Sequence, residues 1–550
     1  MSGTLARCYG GLPLPAFPLV DCARPHQTSV LAFLAGCALF GLPAFAAGPL
    51  QGDLDELVRQ KHLAGARVGV VIMDAGTGQT LASLRSDEGF MPASNMKLLT
   101  TGAAMMVLGA DFTFKTEVVL DGSRLIIRGS GDPSLADPDM LRLTDPKLTA
   151  NNLVDTLAGA VEQAGVRQLS EVVIDDRIFD RQFIHPAWNP ENFEETYSAE
   201  VSGLNFHANT LAVFPRPNPA GQGSVPLCDT EPAAPWLRID CAKSKTVTKG
   251  KNSFWIARSS ETDCFVHNNQ ATREPVYLDG FACNTFQLRG DVKTAAAAPT
   301  VVNVRNVPAF FGNVFASDIA QHGVTLTGTA AHADLPPGVR LATAEDVLDK
   351  GRVLAVVQTP LVDVVTHCNV ESQNLYAESL LKRMGHDVTH EPGSWSTGGA
   401  VLRMMISQEL GPEAAASTTI SDGSGLSREN RVTPLTLAKW LKACSDKPWG
   451  GKFVESLAAP GTGTLEKRFK SKRLTNEVRA KSGFINGVRS LSGYVTDPIN
   501  NERYIFCILI NDLPNGSNTA TTEARELHED IVDLLDDALV RKANGRKLGG

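Results

Sequence analysis

The chain has no long run of lysine or arginine, and its formal charge is −8 over 550 residues, so the electrostatic footprint of a nucleic-acid binder is missing. Aromatic residues make up only 6%. Trp188, Trp236, Trp255, Trp395, Trp440 and Trp449 are scattered, which fits core or loop packing better than a platform for stacking sugar rings. No cysteine pair has C-x-x-C spacing, which argues against a zinc-binding module. Repeats of fixed period are absent, which excludes solenoids and propellers. Only one stretch, Ser29 to Ala46, approaches the length and apolarity of a membrane span.

That stretch follows Arg24 and His26, is interrupted by Gly41 and Pro43, and ends on Ala44-Phe45-Ala46. It has the layout of a secretory signal with an A-x-A cleavage site. Residues 1–46 are therefore expected to be removed, leaving an exported chain with no transmembrane segment. The region ahead of the apolar run is long for a leader, which suggests an early-assigned start codon. In an oxidising compartment the clustered Cys228, Cys241, Cys264 and Cys283 favour disulfides over metal binding. The expected bridges are Cys228–Cys241 and Cys264–Cys283, one of three pairings that four cysteines allow, each contributing about 3 kcal/mol. Cys368, Cys444 and Cys507 lie in apolar or mixed contexts and are expected as buried free thiols.

Hydrophobic residues are 43% of the chain, ample for a buried core. Arg67 to Met73 predicts a strand, Asp74 to Gly78 a turn and Gln79 to Leu84 a second strand, together a hairpin. Short strands are expected at Glu117–Leu120, Arg124–Arg128 and Glu171–Ile174. Near the other end, Gly493–Thr496 and Tyr504–Ile510 read as strands. Leu527, Ile531, Leu534, Leu535 and Val540 then mark a closing helix, whose acidic outer face argues against a membrane-surface role. Phe214 to Thr285, rich in Pro, Gly, Lys and Ser, reads as a small β module. The two ends are thus expected to build one domain around a large insertion.

The chemistry sits in three short motifs. Ser94 and Lys97 lie three apart within Met91-Pro92-Ala93-Ser94-Asn95-Met96-Lys97-Leu98-Leu99. On a helix starting near Ser94 they share a face. A lysine among Met96, Leu98, Leu99, Met105 and Met106 is poorly solvated, which lowers its pKa and lets it accept the serine proton. S-x-x-K alone is weak: Ser379-Leu380-Leu381-Lys382 also matches, and belongs to a helix running on from Asn374. The second motif, Ser372-Gln373-Asn374, suits a connecting loop, with Ser372 relaying a proton and Asn374 holding a substrate amide; its bland alternative is a helix cap. The third, Lys481-Ser482-Gly483 followed by Phe484, suits an edge strand. There the lysine raises the positive potential, the serine hydrogen-bonds a carboxylate, the glycine allows close approach, and the backbone N–H groups of Phe484 and Ser94 form an oxyanion hole. His386 and His390, beside Glu391, lack a third ligand and are expected in a solvated strand-and-turn region, so no metal is assigned.

S-x-x-K, S-x-N and K-S-G in this order, with Ser421-Asp422-Gly423-Ser424-Gly425-Leu426-Ser427-Arg428 and Gly129-Ser130-Gly131-Asp132-Pro133, resemble the class C low-molecular-mass penicillin-binding proteins, which are D-alanyl-D-alanine carboxypeptidases and endopeptidases. The likeness covers most of the chain after residue 46; K-S-G stands where threonine is commoner in the middle. The resemblance implies an α/β fold: a β-lactamase/transpeptidase-like domain, an antiparallel sheet flanked by helices, from residues 51–115 and 352–542. A β-rich domain, 116–213 and 286–351, is inserted in it, with a nested module at 214–285. It implies catalysis by Ser94, Lys97, Ser372 and Lys481 through an acyl-enzyme without cofactor, and substrate binding by Asn374, Ser482, Gly483 and Phe484. The implied partners are peptidoglycan peptides and β-lactam antibiotics, in the periplasm; the oligomeric state, homo-oligomer included, stays open. No role is expected of the D-G-S-G-L-S-R block beyond a turn beside the cleft. The alternatives are a β-lactamase, disfavoured because no E-x-x-x-N spacing follows Asn374, and an inactive wall-binding protein.

Overall fold

The computed structural model describes residues 49–547 apart from 221–224, 238, 243–252, 259–264, 269–274, 278–283, 293, 330–334 and 515. The expected signal segment, Cys264 and Cys283 lie outside the described residues.

Strands from the two ends of the chain share one sheet. Its antiparallel order is Glu477–Ile485, Val488–Thr496, Arg503–Asn511, Arg67–Asp74, Thr80–Leu84. The apolar run at Arg67–Asp74 is explained by burial on both faces, because alternate side chains point opposite ways. Val68, Val70 and Ile72 join Phe506, Ile508, Leu527, Ile531 and Leu535 under the terminal helices Pro49–Gln60 and Asn518–Lys547. Val71 and Met73 pack on the other side with Leu99, Leu380, Leu402 and Leu437 from the helices Met96–Val107, Asn374–Thr389, Trp395–Leu410 and Pro434–Ser445.

A second five-stranded sheet has the order Val339–Leu341, Glu171–Asp175, Arg124–Arg128, Thr113–Asp121, Arg352–Pro360. Its strands come from the middle of the chain, and two of its pairings are parallel. The helices Ala150–Gln163 and Val307–Gln321 bury Val154, Leu157, Phe311 and Phe315 against Leu125, Val172 and Ile174. Smaller sheets follow between Thr210 and Asn303.

Two local expectations are corrected. The Cys228 and Cys241 sulfurs face each other as thiols 3.7 Å apart, whereas a disulfide needs about 2.0 Å. His386 and His390 are not in a strand-and-turn region. His386 is in the last turn of the helix Asn374–Thr389, and His390 is its left-handed C-cap, its N–H donating to the His386 carbonyl. The expected free thiols Cys368, Cys444 and Cys507 are buried and unbridged.

Candidate active site

Ser94 does not open the long helix directly. Pro92 and Ala93 lead into a 3-10 turn, Ala93–Asn95, and the α-helix begins at Met96. Ala93 has φ of 47°, a left-handed value costly for a residue with a Cβ, so the surroundings must hold it. The K-S-G strand and its neighbour Val488–Thr496 do much of this. Asn95 Nδ2 donates to the Lys481 carbonyl at 2.7 Å, Ser492 Oγ donates to Asn95 Oδ1 at 2.7 Å, and Ser490 Oγ donates to the Pro92 carbonyl at 2.7 Å. Asn511 donates to the Met91 carbonyl and accepts from its N–H. Gly483 is what lets the turn come this close: a Cβ there would lie 2.9 Å from the Ser94 nitrogen and 3.0 Å from the Pro92 oxygen. The Ser94 amide and the strand at Gly483 are thus brought together by hydrogen bonds on one side and a missing side chain on the other.

Lys97 is fully buried, and among the described residues no carboxylate lies within ion-pair distance of it. Its Nζ makes three contacts: Asn374 Oδ1 at 2.6 Å, the Ser424 carbonyl at 2.9 Å and Ser94 Oγ at 3.2 Å. Desolvation lowers its pKa, opposed by the more distant charges of Cys368, Glu378 and Asp422. A neutral amine has two N–H donors and one lone pair. The two oxygens that can only accept take the donors, so the lone pair is left for the Ser94 hydroxyl. Lys481, also buried, is pushed well down, first by desolvation and then by the charge of Lys97, and its Nζ donates to the Ser482 carbonyl.

The S-x-N loop joins the helix Leu361–Val370 to the helix Asn374–Thr389. Ser372 has φ of 64°, which turns the chain sharply between them. Asn374 is the first helical residue, not a cap. With Oδ1 accepting from Lys97 and Nδ2 donating to the Tyr197 carbonyl, its amide ties the lysine to the 3-10 turn Thr196–Ser198. The sequence had suggested a substrate amide in that place. Phe484 is 60% exposed, at the open edge, with the Arg489 guanidinium over its ring.

Several residues here escaped the sequence reading. The D-G-S-G-L-S-R block is more than a turn: the Ser424 carbonyl accepts from Lys97, and a Cβ on Gly425 would sit 1.8 Å from the Ala93 oxygen. Asp422 holds the block by accepting from the N–H groups of Gly425 and Ser427, from Asn430 and from the Trp188 indole. Glu378, buried four residues past Asn374, accepts from the N–H groups of Gly423 and Ser424 and from the Trp395 indole. A glutamate on the apolar face of a helix was the available signal, since a buried carboxylate needs donors. The second S-x-x-K is structural: Lys382 pairs with Asp180 and donates to the Gln182 carbonyl. Trp188, Trp395 and Trp440 are buried core residues.

The D-Ala-D-Ala carboxypeptidase 3 (S13) family matches residues 50–536. The chain is 30% identical over 469 residues to a D-alanyl-D-alanine carboxypeptidase of Actinomadura sp. (strain R39), covering 82% of this chain and 79% of that protein. It is 24% identical over 510 residues to the D-alanyl-D-alanine carboxypeptidase DacB of Haemophilus influenzae, covering 91% and 96%. The crystal structure of penicillin binding protein 4 (dacB) from Haemophilus influenzae superposes with a TM-score of 0.64 at 19% identity, covering 87% of this chain and 99% of that one. At that identity the likeness establishes the fold, the β-lactamase/transpeptidase-like arrangement.

Proposed function

The chain belongs to the D-Ala-D-Ala carboxypeptidase 3 (S13) family of serine peptidases, and from that premise we propose how its residues divide the work. Neutral Lys97 accepts the Ser94 proton while Ser94 Oγ attacks the carbonyl carbon of a D-Ala-D-Xaa bond in a peptidoglycan stem or cross-link. The oxyanion is met by the backbone N–H groups of Ser94 and Phe484, each contributing about 3 kcal/mol at sites of this kind. Ser372 and Lys481 return a proton to the leaving amine, and water hydrolyses the acyl ester. Ser482 faces the terminal carboxylate; Asn374 orients Lys97. The observation that carries this reading is the threefold environment of the Lys97 amine, in which a neutral amine has one lone pair left and directs it at Ser94.

Residues near 51–115 and 352–542 form the catalytic domain in this reading, 116–213 with 286–351 the inserted domain and 214–285 the nested module. The first assignment is supported by the sheet built from 67–84 and 477–511. A periplasmic location is supported by the leader-like residues 29–46. The decisive experiment is penicillin labelling alongside hydrolysis of a D-Ala-D-Ala peptide. Wild type is expected to do both, and Ser94→Ala neither. Labelling retained by Ser94→Ala moves the nucleophile elsewhere.

A further inference from the structure

The Gly129–Pro133 turn, which the proposed chemistry leaves unused, leads into a pocket of charge. Asp132 and Asp137 are each 2% exposed, and among the described residues neither has a lysine or arginine within ion-pair distance. Buried carboxylates without a cationic partner are costly. Asp137 is held in place from two sides: its Oδ1 accepts from the Asp139 N–H at 2.8 Å and its Oδ2 from the Tyr376 hydroxyl at 2.6 Å. Opposite it stands His367, 8% exposed, whose Nε2 is buried without a hydrogen-bond partner among the described residues.

His367 Nε2 lies 3.7 Å from Asp137 Oδ2. That is too long for a hydrogen bond. It is close to the separation, roughly 3.4 Å, of two donors each about 2.1 Å from one tetrahedral ion. Asp139, half-exposed, completes the group: one donor atom from each of Asp137, Asp139 and His367 lies within 4.8 Å of the others. Asp139 pairs through one oxygen with Arg142, which leaves its second oxygen for a cation and its exposure as an entry path.

We propose that Asp137, Asp139 and His367 bind one divalent transition-metal cation, Zn²⁺ or Mn²⁺, as a structural brace for the S-x-N element. An imidazole with two carboxylates suits those ions better than Ca²⁺ or Mg²⁺, which prefer all-oxygen shells. The Tyr376 hydroxyl and the Asp139 N–H supply the outer hydrogen bonds that orient a ligating carboxylate. The placement gives the ion its role. Asp137 and Asp139 belong to the segment read as inserted, while His367 and Tyr376 sit on the two helices joined by the Ser372 loop, the second of which begins at Asn374. A second group, Asp155, Asp318 and His322, carries no such argument, because both His322 nitrogens are already bonded, to Glu162 and Asp155.

The test uses the purified chain, stripped with a chelator, re-equilibrated with ZnCl₂ or MnCl₂ alone, desalted and assayed for bound metal, with thermal unfolding followed in parallel. Wild type and Ser94→Ala are both expected to retain about one equivalent and to show a raised Tm, so the result stands apart from the peptidase reading. His367→Ala is expected to lose the equivalent and the Tm shift. Asp139→Ala, at a half-exposed position where folding is not at stake, is expected to do the same. Tyr376→Phe should weaken binding roughly 10- to 100-fold. Less than a tenth of an equivalent on wild type with either metal, or full binding retained by both His367→Ala and Asp139→Ala, overturns the site.

Discussion

Two residues show how much of the chemistry is decided by surroundings. An exposed lysine at position 97 would carry a proton at neutral pH; burial beside Ser94 lowers its affinity for one. If the neutral amine is the proton acceptor, the rate of penicillin acylation should climb with pH and level off below 10.5, the value of an unperturbed lysine. The same depression has a stability consequence. The unfolded chain keeps that proton over an interval in which the folded one has released it, so unfolding free energy should rise with pH there. Acylation rates that are flat or fall from neutral to alkaline pH, measured by stopped-flow, would remove Lys97 from the mechanism. Gly483 makes the complementary point. In Gly483→Ala the new methyl would meet Ser490 Oγ at 2.1 Å and the Ser94 nitrogen at 2.9 Å. A stability loss of about 1–3 kcal/mol and a much larger fall in acylation rate are expected, because one of the displaced atoms belongs to Ser94, the proposed nucleophile.

At the scale of elements, period and burial explain what could be read ahead. The strand expected at Arg67–Met73 runs to Asp74, that at Arg124–Arg128 has the same ends, and Tyr504–Ile510 lies within Arg503–Asn511. Each is a short apolar run that a central strand buries on both faces. Leu527, Ile531 and Leu535 point to the core from the closing helix, as their spacing requires. The start of the helix that follows Ser94 was less legible. Its 3-10 turn and the strained Ala93 are imposed by Asn95, Ser490 and Ser492, residues that touch only across the fold. Asn95→Ala strips partners from the buried Lys481 carbonyl and Ser492 hydroxyl. Each orphaned group costs about 1–3 kcal/mol, so a drop in the urea midpoint is expected together with slower penicillin labelling; an unchanged labelling rate would mean that the turn holds itself.

The whole molecule is closed by its own ends. Arg67–Asp74 pairs along its length with Arg503–Asn511, and the C-terminal helix seals the face of that sheet remote from Ser94. Ile531, fully buried there, should cost about 2–5 kcal/mol when cut to alanine, seen as a lower Tm. The acylation rate at permissive temperature should not change, and a parallel loss of rate would show that the sheet and Ser94 are less independent than the packing implies.

The order of S-x-x-K, S-x-N and K-S-G, the buried strands and the family were fixed in the residues themselves, since each depends on local spacing and on apolar periodicity that folding cannot alter. The partners of Lys97, the roles of Glu378 and Ser424, the engaged amide of Asn374 and the meeting of Asp137 with His367 were settled only in three dimensions. Each is a contact between groups hundreds of positions apart or a hydrogen bond to a backbone atom, and backbone atoms are the same in every residue, so no pattern of side chains announces which of them will be near.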